Sequence, residues 1–365
     1  MKITLALLMG MTISTASFGQ FFYAGTYTDG TSKGVYGYEL DAKTGKLQPL
    51  GLMAESVSPA FLAWHPTKKF LYAVNEAGAG NVTAFSVDSK THKLTELNRQ
   101  SSMGEGPCHL TVDHTGKVLI VANYGAGSVV SYPIGADGKL GAAASVMQHA
   151  GKGIDPQRQD GPHAHSAYLS KDNKYVYVAD LGLDKVFRYA LDTATAKLTA
   201  AEPGSFAVKP GYGPRHMAFA ADGKHAYVIN EMGNKVTVFN YDEKAGTMSE
   251  FADISTLPPN FVGQNTTAEI ALSPGGKFLY ASNRGHDSIA VFAVGGGGAE
   301  LKLVENVPSG GVMPRNFALT PKGDFLLAAN QKGNNIVVFR VDAKTGKLKA
   351  TGETAELGAP VCLLF

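Results

Sequence analysis

The chain holds only two cysteines in 365 residues, one tryptophan, and a formal net charge of +2 from 33 basic and 31 acidic residues. A balance that close to zero, with no basic stripe, excludes nucleic acid as an electrostatic partner. Long helical periodicity is missing, which sets aside helical architectures. No helix-borne catalytic motif occurs. The one extended apolar run, Ile3 to Ile13, follows Met1-Lys2 and gives way to small residues from Ser14 to Gly19. It is too short to span a bilayer and has the layout of a secretory signal peptide cleaved near Gly19. Residues 1–19 are therefore expected to be removed and residues 20–365 to be exported, to the periplasm or beyond, with no membrane span.

Glycine, by contrast, is plentiful at 43, and the chain repeats itself. Seven β-like runs end at Thr26, Asn75, Asn123, Asp180, Asn230, Asn283 and Asn330, in steps of 47 to 57 residues. Each unit has three short apolar runs separated by Gly, Asn and Asp turns, and a weaker fourth run after a DxxTGKL-like turn, as at Asp41 to Leu47. A period near 50 with four strands per unit is one propeller blade. The first unit starts directly at Phe21 and lacks its first strand, while Gly358 to Phe365 looks like that missing strand. The expected fold is therefore all-β: a single seven-bladed β-propeller domain over 20–365, four antiparallel strands per blade, its first blade closed by the C-terminal strand. On this scheme a whole blade separates Cys108 from Cys362, too far for a disulfide, so two free buried thiols are expected.

Aligning the seven copies separates scaffold from site. The innermost strands open with Ala60, Cys108, His165, Arg215, Ala268, Arg315 and Val361, followed by Phe61, His109, Ser166, His216, Glu269, Asn316 and Cys362. The residues just after the seven strand ends are Tyr27, Glu76, Tyr124, Leu181, Glu231, Arg284 and Gln331. Because the second strand runs antiparallel to the first, these mixed polar series meet at one mouth of the channel, with Arg215 beside Glu231. Two insertions, 148–162 with Arg158 and running directly into His163, and 257–267, enter the same face, where rigid scaffolds usually carry their sites. The recurrent Asn residues are expected to cap the strand-to-strand loops.

Several segments carry a family resemblance. GPRHMAF followed by VINE, SNRGHDSIAVF, MPRNF with AANQKGNN, and DPQRQDGPHAHSAYLS resemble the seven-bladed propeller lactonases. That family includes the propeller type of 6-phosphogluconolactonase and the carboxy-muconate lactonizing enzyme, and the likeness covers the whole mature chain. It implies an active site of His165, Arg215, Glu231 and Arg284, each matched by motif, and a lactonase acting on a small anionic or sugar lactone in carbohydrate metabolism. Opening a lactone requires a positioned water, a general base, and cations for the anion and the developing oxyanion. His165 suits the base, Glu231 the same role if desolvated, and Arg215 and Arg284 the clamp. His163, His216, His109 and Arg315 are expected to contact substrate, with Glu269 a rival acid. The four histidines sit on three blades without a close ligand pair beyond HxH, so neither a metal nor any other cofactor is expected. Two alternatives stay open: a binding propeller without chemistry, and a muconate-type cycloisomerase. A phosphorylated sugar lactone belongs to the cytoplasm, whereas the export signal favours an unphosphorylated substrate.

Overall fold

Among residues 19–365, which the computed structural model describes, each repeat forms one four-stranded antiparallel sheet, and seven such sheets close into a ring. The proposed signal segment falls outside these residues except for Gly19. The fourth blade is representative, running outward from the axis as Ala164–Leu169, Tyr175–Asp180, Lys185–Asp192 and Lys197–Ala207. Neighbouring innermost strands touch all the way round. In the first blade that strand is Pro360–Leu364, paired antiparallel with Gln20–Thr26, so the first and last described strands share one sheet. Trp64 Nε1 and Lys68 Nζ then donate to the Phe365 carbonyl at 2.9 and 3.1 Å, fastening the last residue to the second blade.

Both faces of every blade pack against a neighbour, which is why the strands read as continuous apolar runs rather than alternating ones. Val118–Asn123 and Phe325–Asn330 are buried at every position. Seven separate apolar clusters result, one in each gap between adjacent blades. A tyrosine in the second strand latches five of these gaps. Tyr23, Tyr72, Tyr177, Tyr227 and Tyr280 donate to carbonyls of the next blade's outer hairpin (His92, Gly138, Gly246, Gly298 and Gly346) at 2.7 to 3.0 Å. Gly346 must be glycine: its φ is +72°, and an added Cβ would run into the ring of Phe278.

The recurrent Asn residues tie more than their own loop. Asn75 Nδ2 donates to the Val57 carbonyl at 2.7 Å, in the connection entering the blade, while its Oδ1 accepts from Thr83 in the third strand at 2.6 Å. Asn123 and Asn283 span the same two places with Nδ2 alone, donating to the Ser102 and Thr256 carbonyls at 2.9 and 3.0 Å and to the hydroxyls of Ser128 and Ser288. These amides are buried, so each bond answers a group that water cannot reach.

Every innermost strand also carries a β-bulge at its start, which the residue spacing did not reveal. The extra residues are Ala60, Cys108, His165, Arg215, Arg315 and Val361; in the sixth blade Ala268 and Glu269 share the place opposite Ser282. A bulge leaves one residue unpaired and re-aims its side chain. The positions that the repeat comparison picked out by polarity are thus the positions the backbone frees from the ladder.

Candidate active site

Glu231 is the hub of the mouth. Its Oε2 accepts from Arg215 Nε at 3.0 Å and forms an ion pair with Arg284 Nη2 at 2.7 Å, and its Oε1 accepts from Arg158 Nη2 at 2.6 Å. Burial alone would raise its pKa, but Arg284, Arg215 and Arg158 together outweigh burial and hold the carboxyl well below the usual carboxylate range. Glu231 is therefore ionised, with both oxygens engaged by guanidinium groups. Its guanidinium partners are committed as well: Arg215 Nη1 donates to the Ala268 carbonyl at 2.7 Å and Arg284 Nη2 to the Thr267 carbonyl at 2.7 Å. Burial lowers the Arg284 pKa to about 10, which still leaves it charged at neutral pH.

His165 stands beside this hub, Nε2 3.9 Å from Glu231 Oε2. That is too long for a hydrogen bond, and among the described residues Nε2 has no hydrogen-bond partner. Burial, then the charges of Arg215, His216, Arg315 and Arg284, push the His165 pKa well below the usual histidine value, so the ring is neutral at pH 7 and able to accept a proton. Cys108 Sγ donates to the His165 carbonyl at 3.1 Å and lies 3.8 Å from Nδ1. Burial raises the Cys108 pKa, so it is a thiol that packs the histidine rather than a nucleophile.

The insertion between the third and fourth blades supplies a residue to which sequence reasoning gave no role, Arg158. Gln159, fully buried, donates to the Leu181 carbonyl at 2.8 Å and accepts from the amides of Ile154 and Asp155. His149 Nδ1 meets Asp180 Oδ2 at 2.5 Å at the loop's root. So braced, the loop carries Arg158 over Glu231 and within 3.3 Å of the Tyr124 hydroxyl. The length of the insertion was the only signal for it.

Of the expected substrate contacts, Arg315 is the uncommitted one. Its guanidinium lies 5.4 Å above the Tyr27 ring and, among the described residues, makes no hydrogen bond or ion pair. His163 borders the mouth, stacked on Tyr124 at 4.5 Å and donating from Nδ1 to the Tyr124 carbonyl at 2.9 Å. His216 and His109 lie deeper. Buried His216 places Nδ1 3.0 Å from Glu269 Oε1 and Nε2 3.2 Å from Arg215 Nη1, so both ring nitrogens are occupied by protein groups. Glu269 in turn accepts from Asn316 Nδ2 at 2.5 Å. His109 is packed against Phe61 and receives the Ala167 amide at 3.4 Å. His216 thus braces Arg215, His109 packs beside His216 with the rings 5.3 Å apart, and Glu269 is engaged by His216 and Asn316.

Known proteins resemble this chain along almost its whole described length. Residues 21–365 match the family model described as "Lactonase, 7-bladed beta-propeller". A 6-phosphogluconolactonase of Bacillus subtilis is 38% identical over 344 residues, 94% of this chain and 97% of that one. A 6-phosphogluconolactonase of Formosa agariphila is 37% identical, over 81% and 85% of the two chains. Among solved structures, the periplasmic gluconolactonase of Pseudomonas aeruginosa superposes with a TM-score of 0.88 at 33% identity, covering 94% of this chain and 98% of its own. With the family model spanning every blade, this chain belongs to the seven-bladed β-propeller lactonases.

Proposed function

We propose that this protein is a lactonase that hydrolyses a sugar-derived lactone of the gluconolactone class, with the catalytic groups at the mouth formed by the fourth to seventh blades. The observation that carries the reading is the pairing of a buried, neutral His165 with an ionised Glu231 that three arginines hold in place. In this reading His165 Nε2 takes a proton from water as the water oxygen attacks the lactone carbonyl. Glu231 stabilises the imidazolium that forms, and Arg315, with no partner of its own, receives the developing oxyanion or a substrate anion. Arg215, Arg284 and Arg158 orient Glu231 and make the mouth positive for an anionic or polyhydroxylated substrate. His163 borders the entrance.

Two observations favour an unphosphorylated substrate met outside the cytoplasm: the signal-like segment Met1 to Gly19 and the likeness to a periplasmic gluconolactonase. The test is hydrolysis of glucono-δ-lactone and of its 6-phosphate, corrected for the uncatalysed rate. Turnover of the neutral lactone, and a loss of about 10²-fold or more in kcat for His165→Ala, is the expected result. A variant as fast as the parent would remove His165 from the chemistry. Failure on both lactones, with ligand binding retained, would favour a non-catalytic propeller.

A further inference from the structure

Glu76 occupies in the second blade the place that Glu231 occupies in the fifth, directly after the second-strand Asn. Three steps round a seven-fold ring put the two carboxylates roughly 150° apart, on facing walls of one mouth. Their settings differ. Glu231 receives three guanidiniums, whereas Glu76 receives one neutral donor, the Tyr27 hydroxyl on Oε2 at 2.8 Å, and no ion pair among the described residues. Its Oε1 has no hydrogen-bond partner among the described residues. Glu76, Arg215, Arg315, Cys108 and His216 border a single narrow void on the channel axis. Glu76 thus shares this void with Arg315, the proposed oxyanion contact, and with two residues that adjoin the base and its carboxylate, Cys108 touching His165 and Arg215 bonding Glu231.

Resting on the lactonase reading, we propose that Glu76 is the general acid of this site, positioned by Tyr27, and that it gives its proton to the ring oxygen of the opening lactone. The chemistry needs such a group. His165 removes a proton from water as the new C–O bond forms, but collapse of the tetrahedral intermediate must expel a sugar alkoxide, a poor leaving group unless protonated. As the bond between the acyl carbon and the ring oxygen breaks, the electron pair goes to that oxygen and the Glu76 Oε1 proton follows it. Products are the free acid with its new hydroxyl, a Glu76 carboxylate and a protonated His165, whose proton returns through water to Glu76. Facing carboxylates in contrasting settings are the usual arrangement for divided acid and base roles. Burial raises the Glu76 pKa, against the lowering effects of Arg315, the Tyr27 hydrogen bond and Arg215.

The test is the pH dependence of glucono-δ-lactone hydrolysis by wild type, Glu76→Gln and Tyr27→Phe, with melting temperatures as a folding control. Wild type should lose rate on the alkaline side as Glu76 ionises. Glu76→Gln should lose about 10²-fold in kcat with little change in KM, and lack that alkaline limb. Tyr27→Phe, which removes a bond that stabilises the ionised form, should move the limb to higher pH. A Glu76→Gln enzyme with wild-type kcat, or one that keeps the limb, overturns the assignment, as does a limb unmoved in Tyr27→Phe. Wild type inactive on both gluconolactone and its 6-phosphate would instead overturn the lactonase reading on which the assignment rests.

Discussion

Replacing Glu231 by Gln keeps the shape of the hub and removes its charge. Arg215 and Arg284, with side chains 3% and 6% exposed, would then be buried cations without a counter-ion. Arg158 at 38% can turn to solvent, and its loss matters little to stability. Stripping the charge from a buried pair costs about 3–5 kcal/mol. With unfolding entropy of about 2.1 cal/mol/K per residue, a chain of this length moves its Tm by roughly 1.4 °C per kcal/mol, so the expected fall at pH 7 is about 4–7 °C. The deficit should itself depend on pH. Glu231 titrates lower in the folded than in the unfolded protein, so its stabilisation is full above the unfolded value of 4.5 and fades as pH falls toward the folded one. The gap between wild type and Glu231→Gln, measured by thermal unfolding, should therefore narrow from pH 7 to pH 3. In the same protein kcat should drop by about 10²-fold, because the imidazolium loses its partner. KM for an anionic lactone should not rise, since the mouth becomes more positive. Equal melting temperatures at pH 7, or a gap that ignores pH, would refute the hub as described.

Arg315→Met should lower kcat/KM by about 10²-fold or more while leaving Tm near wild type, because the guanidinium has no structural partner to abandon; a Tm drop as large as that of Glu231→Gln would make it structural. Asn230→Ala deletes bonds to the Lys235 carbonyl and the buried Thr237 hydroxyl, and should cost about 1–3 kcal/mol in chemical denaturation with kcat close to wild type.

The blade count, the closing strand and the polar mouth were legible because each follows from comparing equivalent positions within one chain. Arg215 beside Glu231 was readable for the same reason: one hairpin places both. Arg284 reaching Glu231 from the sixth blade, and Arg158 from a loop, were not, since repeat alignment fixes angular position but not how far a long side chain extends. Arg215 and Arg284 each spend donors on Glu231 and on a backbone carbonyl, whereas Arg315 makes no hydrogen bond or ion pair among the described residues. His216 looked equivalent to a mouth residue until Glu269 and Arg215 were seen to occupy both its nitrogens. Pairings of that kind depend on which rotamers neighbours leave free, and composition carries no trace of them.

The bulge at the head of each innermost strand has a consequence for how such a protein can change. A residue excused from the ladder can be exchanged without shifting the register of its sheet or repacking the gap between blades. The ring thus offers seven sockets, filled here by Ala60, Cys108, His165, Arg215, Ala268, Arg315 and Val361, in which chemistry can be swapped while the architecture stays as it is. Ala60 is a blank among them, the natural place to write in a new substrate preference.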